Sequence, residues 1–225
     1  MNQNLLGSPV YIGHSRDEII GLAASFALTL LEASDSPCFV VSGGATTPFI
    51  VQKLATMWRR DSLPIILLSD ERHATVPAER NDETLRGLLH DTPFATVRIV
   101  SPPTAGTLEM AAHLWSTDIA TLPPPSLALV SMAADGHIAG LFATCRYEEI
   151  GGSVVFTRES PKPPAQRISL SASFFLTVPH RIAIVIGSEK ASILAALSHD
   201  SNSPIAQFGP STWFLAEVSA HQTQD

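Results

Sequence analysis

Two apolar patterns alternate along this chain. Short unbroken runs at Cys38 to Val41, Ile65 to Leu68, Val97 to Val100, Leu127 to Val130 and Arg181 to Ile186 have the composition of strands buried on both faces. Between them apolar residues recur at helical spacing. Ile19, Leu22, Ala23, Phe26 and Leu30 form one such stripe, preceded by Ser15 and Glu18 in capping-box positions. Thr47 reads as an N-cap with Pro48 at the first helical position, and that helix runs to about Arg60. A shorter helix is expected from Glu83 to Leu89 and a long amphipathic one from Leu108 to Leu122, stopped by the prolines at 123, 124 and 125. Later segments follow the same alternation: strands at Val154 to Phe156 and Arg167 to Leu170, a helix from Glu189 to Leu197, and a final strand or strand-to-helix turn from Thr212 to Val218. Gly151, Gly152 and the prolines at 161, 163 and 164 mark the region between as loop. Repeated strand-then-helix order predicts the α/β class, with an open, mostly parallel sheet flanked by helices on both faces. No internal repeat divides the chain, and residues 1–225 read as one domain.

Polar chemistry collects where the apolar runs end, which is where open α/β sheets bind ligands. After Leu127 to Val130 come small residues and then Asp135, Gly136 and His137. A carboxylate two residues from an imidazole can take the proton of one ring nitrogen and leave the other basic. The competing reading makes Asp135 the cap of a following helix and His137 a surface residue of its first turn. After Cys38 to Val41 come Ser42, Gly43, Gly44, Ala45, Thr46 and Thr47, opening the next helix. Paired glycines let backbone N–H groups approach an anion at a helix N-terminus, and the hydroxyls of Ser42, Thr46 and Thr47 are further donors. Neither a dinucleotide fingerprint nor a Walker loop is present. Asp70, Glu71 and Arg72 close the run from Ile65 to Leu68; charges at a buried strand end need partners or a function, and Glu71 reads as one half of an ion pair. Lys190 falls in the first turn of a helix, where a cation opposes the helix dipole. Arg167 opens its strand within reach of an anion.

The formal net charge of −7 excludes a general nucleic-acid or anionic-membrane binder, yet leaves room for a small anion held by a few local cations. Cys38 and Cys145 make no metal-ligand spacing and no disulfide framework, and no histidine pair stands beside a carboxylate at zinc-site spacing. The first residues have no basic stretch leading into an apolar one, and no apolar run nears the roughly 18 residues that span a bilayer. A cytoplasmic location is therefore expected, with a monomer and a dimer both open.

Five motifs in one order carry a resemblance: Ser42 to Pro48; Asp70 to Arg72 with Val76, Pro77 and Asn81; Asp135 to His137 with Leu141 and Phe142; Arg167 to Leu170; and Gly187 to Lys190. In order and spacing, over roughly residues 10–218, the chain resembles the 6-phosphogluconolactonase family, within the larger group that includes glucosamine-6-phosphate deaminase. The resemblance implies a Rossmann-like fold, hydrolysis of 6-phospho-D-glucono-1,5-lactone in the pentose phosphate pathway, a sugar-phosphate lactone as the one small partner, and no metal or organic cofactor. Carried over residue by residue, it implies His137 as general base oriented by Asp135, with Arg72 or the N–H groups near Ser42, Gly43 and Gly44 facing the carbonyl oxygen. Ser42, Gly43, Gly44, Ala45, Thr46, Asp70, Arg167 and Lys190 would line the substrate and phosphate site. The chain departs from the family at Ser131 and Ala133, where glycines are usual, so two added side chains are expected to crowd the sugar ring. In deaminase relatives an acidic residue follows the Gly-His pair; here Gly140, Leu141 and Phe142 stand in that stretch. A non-catalytic sugar-phosphate sensor is the third reading.

Overall fold

The computed structural model describes residues 3–197 and 202–217. Val218, the end of the last expected strand, lies outside the described residues. In chain order the elements are β1 (Gln3–Leu5), β2 (Ser8–Gly13), α1 (Arg16–Glu32), β3 (Cys38–Val41), α2 (Thr47–Met57), β4 (Ile65–Leu68), β5 (Asp70–Arg72), α3 (Asn81–Leu89), β6 (Arg98–Val100), α4 (Leu108–Ala120), β7 (Leu127–Ser131), β8 (Glu148–Ile150), β9 (Val154–Thr157), β10 (Arg167–Leu170), α5 (Ala172–Thr177), β11 (His180–Ile186), α6 (Ala191–Ala196), α7 (Pro204–Phe208) and β12 (Thr212–Ala216). An eight-stranded sheet runs β1-β2-β12-β11-β7-β3-β4-β6, and a four-stranded sheet runs β5-β10-β9-β8. In the large sheet only the β1–β2 pair is antiparallel.

The apolar runs are continuous because the large sheet is buried on both faces. Alternate residues of β3 point to opposite sides: Phe39 and Val41 join Ile19, Ala23, Ile50, Leu54 and Leu85 from α1, α2 and α3. Val40 joins Ala111 and Trp115 of α4 on the other side. That second face is not covered by helices alone. The inner face of the small sheet, through Val154, Phe156, Ile168 and Leu170, completes it together with Phe175, Ile205 and Phe208. Of its strands β9 and β10 were expected from the sequence, but β5 and β8 were not, because they are three residues each and mostly polar.

Helix α1 begins as expected: Ser15 Oγ accepts from Glu18 N at 3.2 Å, and Glu18 accepts the N–H of His14 at 2.7 Å. Of the predicted stripe, Ile19 and Ala23 are fully buried and Phe26 and Leu30 pack against the core, but the buried face extends further round the helix. Ile20, Ala24, Ala27 and Leu31 are buried, while Leu22 is 40% exposed. Thr47 is not the N-cap of α2. It is the first helical residue, and its hydroxyl donates back to the carbonyl of Ser42 at 2.7 Å. No helix among the described residues is long and apolar enough to cross a membrane.

From β3 the chain steps outward through β4 to β6, then returns across β3 to β7 and steps outward the other way through β11 and β12. The strand order therefore reverses between β3 and β7. A crevice opens at such a switch point because the loops leaving the two strands diverge to opposite sides.

Candidate active site

Two loops leave that switch point. After β3, Gly43 comes so near α3 that a Cβ there would lie 2.2 Å from Asn81 Oδ1, and Gly44 has φ +91°. Only glycine meets both demands, close approach at the first position and left-handed backbone at the second. Asn81 in turn donates to the carbonyl of Asp70 at 3.1 Å, tying the turn to β5. Ser42 Oγ accepts from Ser131 N at 3.1 Å and lies 3.0 Å from Thr47 Oγ1. Ser42 and Thr47 are buried and their hydroxyls stitch β3, β7 and α2 together; Ser42 and Thr46 both line the crevice.

After β7 no helix follows. Residues 133–137 close a tight turn in which Gly136 N donates to the carbonyl of Ala133 and Ala133 N to that of His137, both at 3.0 Å. Gly136 has φ +80°. Asp135 therefore caps no helix. Its Oδ1 lies 2.5 Å from His137 Nδ1 and accepts the His137 N–H at 3.4 Å. The imidazole stacks on Phe142, centroids 4.3 Å apart and planes inclined by 26°. Burial opposes ionisation of Asp135, but hydrogen bonds from His137 and Lys162 prevail and bring its carboxyl down to about 2. An ionised carboxylate can only accept, so Nδ1 carries the proton and the lone pair sits on Nε2. Burial also lowers the pKa of His137 from the ordinary histidine value, against the pull of Asp135, which favours the neutral ring.

Asp70, Glu71 and Arg72 do not end β4; they leave it and pair with β10 in the small sheet. Glu71 is fully buried, as a structural charge should be, but its ion pair is with Arg80 at 3.8 Å. The register sets Arg72 directly opposite Arg167. Like charges directly opposite across a strand pair are destabilising, and Arg167 is 6% exposed. Burial, then Arg72, lowers the pKa of Arg167. Arg72 Nη1 donates to the carbonyl of Glu79 at 2.7 Å, while its buried Nε has no hydrogen-bond partner among the described residues. Such a pair is understandable when an anion lies against it. From β11, Gly187 with φ +112° turns the chain into the short helical segment that carries Lys190, whose pKa burial lowers against the opposing charge of Glu189.

These loops enclose one crevice of about 360 Å³. Its wall includes Ser42, Gly43, Gly44, Ala45 and Thr46 from the first turn, Asp70 and Arg72 from β5, then His137, Arg167 and Lys190. Every residue that the resemblance assigned to the site is in this wall except Asp135, which holds His137; Thr47 and Glu71 are not in it. Ser131 and Ala133 line it too. Among the described residues no three of His, Cys, Asp or Glu converge as metal ligands. Sequence reasoning missed Lys162, whose Nζ lies 3.0 Å from Asp135 Oδ2. A lone lysine among prolines carries no period or motif, and only the folded loop brings it to the crevice.

Residues 17–218 match the sequence family described as glucosamine-6-phosphate isomerases/6-phosphogluconolactonase. The chain is 30% identical over 195 residues to the 6-phosphogluconolactonase of Mycobacterium leprae, covering 77% of each protein. It is 28% identical over 187 residues to that of Thermotoga maritima, covering 78% of this chain and 80% of that one. A solved structure of a 6-phosphogluconolactonase from Shewanella baltica superposes with a TM-score of 0.81 at 22% identity, over 96% of this chain and 99% of the other.

Proposed function

The chain belongs to the glucosamine-6-phosphate isomerase/6-phosphogluconolactonase family, and from that premise we propose that it hydrolyses 6-phospho-D-glucono-1,5-lactone to 6-phosphogluconate, with His137 as general base. The observation that carries this reading is the neutral, Asp135-held imidazole in the same crevice as the Arg72–Arg167 pair. One end of such a crevice suits a base, the other a phosphate.

A lactone is an activated ester, so no covalent nucleophile is needed. Nε2 of His137 takes a proton as water attacks the lactone carbonyl. The tetrahedral intermediate collapses by breaking the bond from the carbonyl carbon to the ring oxygen, and the imidazolium returns its proton to that oxygen. Asp135 stabilises the imidazolium while it exists. Negative charge on the carbonyl oxygen needs donors; the N–H groups of the Ser42–Gly44 turn suit this duty. Of the two duties open to Arg72, its register with Arg167 favours the phosphate. Binding the remote phosphate fixes the reacting carbon against the base. Asp70, an acceptor in the wall, suits the sugar hydroxyls. The deaminase reading lacks its acidic residue: Phe142 stands in the place of that glutamate, lines the crevice and stacks on the His137 ring.

The direct test is acid release from freshly prepared lactone, corrected for spontaneous hydrolysis; a rate no higher than background ends the reading. Two further outcomes follow from it. Lys190→Ala raises KM for the phosphorylated lactone well above its effect on the unphosphorylated one, and equal effects on both remove Lys190 from the phosphate site. Activity survives exhaustive chelation, because proton transfer to an imidazole and an activated ester require no Lewis acid. Loss on chelation, restored by added divalent metal, contradicts this.

A further inference from the structure

Lys162 lies in a loop between β9 and β10, and that loop is built rather than loose. Ser160 Oγ donates to the carbonyl of Lys162 at 2.8 Å, and Ser160 N donates to that of Ala165 at 2.9 Å. Arg167 Nη2 donates to the carbonyls of Lys162 and Pro163 at 3.2 and 3.0 Å. The buried guanidinium that lines the crevice thus also pins the backbone presenting this lysine. Nζ of Lys162 then reaches both members of the pair across from it: Asp135 Oδ2 at 3.0 Å and His137 Nδ1 at 3.5 Å.

The lysine side chain is 46% exposed. A half-exposed ion pair contributes little to stability, so fold stability does not account for this arrangement. Its consequences fall on the imidazole. With Lys162 on one carboxylate oxygen and the ring on the other, Asp135 has one orientation. The cation also stands beside the protonated ring nitrogen, where it opposes a second proton on the ring.

We propose that Lys162 is a positioning residue for His137, holding Asp135 from behind and keeping the imidazole neutral and protonated at Nδ1. The inference rests on His137 being the general base. The charged groups that bear on the ring are Asp135 in its own turn, Lys162 from the loop before β10, and Asp70 from β5. Asp135 and Asp70 favour the imidazolium and Lys162 disfavours it. Arg72, Arg167 and Lys190 share the crevice wall with the ring. Removing the lysine charge therefore raises the pH at which the ring gains its second proton.

The test compares wild type with Lys162→Met, which keeps the aliphatic stem, and Lys162→Arg, which keeps the charge. The His137 ring is titrated by NMR in the ligand-free protein, and kcat/KM for the lactone is followed against pH. In Lys162→Met the ring titration and the acid limb of kcat/KM both move to higher pH. The resulting rate deficit is several-fold on the acid side and shrinks away by about pH 8. Lys162→Arg restores both midpoints toward wild type. An unmoved ring titration in Lys162→Met, with a loss in kcat/KM equal at every pH, overturns the proposal and leaves Lys162 a substrate-binding cation. The ring titration needs no turnover, so the two readings fail separately: no hydrolysis by wild type sinks the lactonase assignment, whereas persistent hydrolysis with an unmoved ring sinks the role of Lys162.

Discussion

Replacing His137 by alanine is expected to lower kcat by roughly 10²–10⁴-fold, the usual contribution of a positioned general base. KM is expected to change little, because the proposed phosphate site at Arg72, Arg167 and Lys190 does not include the imidazole. In the wild-type enzyme kcat/KM falls with decreasing pH through one ionisation, since protonation removes the Nε2 lone pair. Burial lowers the pKa of His137, so that acid limb is expected below the ordinary histidine value. Asp135→Asn loses less than His137→Ala, because the ring remains but its Nδ1 proton is no longer held by a charge. Spontaneous hydrolysis of the lactone is subtracted in each case. A folded His137→Ala protein with near-full rate refutes the assignment. His73 would be the next residue to test, although it lies outside the crevice wall and its buried Nδ1 has no hydrogen-bond partner among the described residues.

The second large effect is on stability. Glu71 is fully buried, and its two oxygens accept the N–H groups of Arg72, Asn81 and Asp82 at 2.8, 2.8 and 2.9 Å. Asn81 and Asp82 open α3, so the carboxylate satisfies N–H groups that no helical carbonyl can reach. Burial pushes its carboxyl up to about 7, against those three donors and Arg80. Glu71→Ala orphans all three donors and removes one partner of the buried Arg80, which keeps Asp82 at 2.9 and 3.0 Å. Removing one side of a buried ion pair costs about 3–5 kcal/mol, and the surviving Asp82 contact sets the lower end, about 3 kcal/mol. For a chain of this length that lowers Tm by roughly 6–12 °C. Glu71→Gln keeps the shape and one acceptor and loses less. Thermal unfolding followed by circular dichroism decides; an unchanged midpoint in Glu71→Ala would show that the β5–α3 junction is held by something else. Because Asn81 packs on Gly43, the same variant is expected to loosen the crevice wall.

The large sheet was legible because burial on both faces leaves an unbroken apolar run, and β3, β4, β7 and β11 each carry one. The capping box of α1 was legible because it is local. Chemistry at the strand ends could be read for a related reason: polar groups that interrupt such runs must be satisfied or used. The pairing of Asp135 with His137 also follows from two residues and a glycine turn. What the sequence could not determine arises from contacts between distant segments. Strands β9 and β10 of the small antiparallel sheet could be read, but not the sheet they join, since β5 is three charged residues that read equally well as the tail of β4. Its register nonetheless decides that Arg72 and Arg167, 95 positions apart, stand opposite each other. The partner of Glu71 proved to be Arg80 rather than its neighbour, because α3 folds back over β5. Lys162 has no pattern at all; its relation to His137 exists only once Ser160 and Arg167 have fixed a proline-rich loop against the crevice. Local spacing thus determined the elements and the Asp135–His137 pair. Tertiary structure determined the charges around that pair, because electrostatic interaction depends on distance in space and not on separation along the chain.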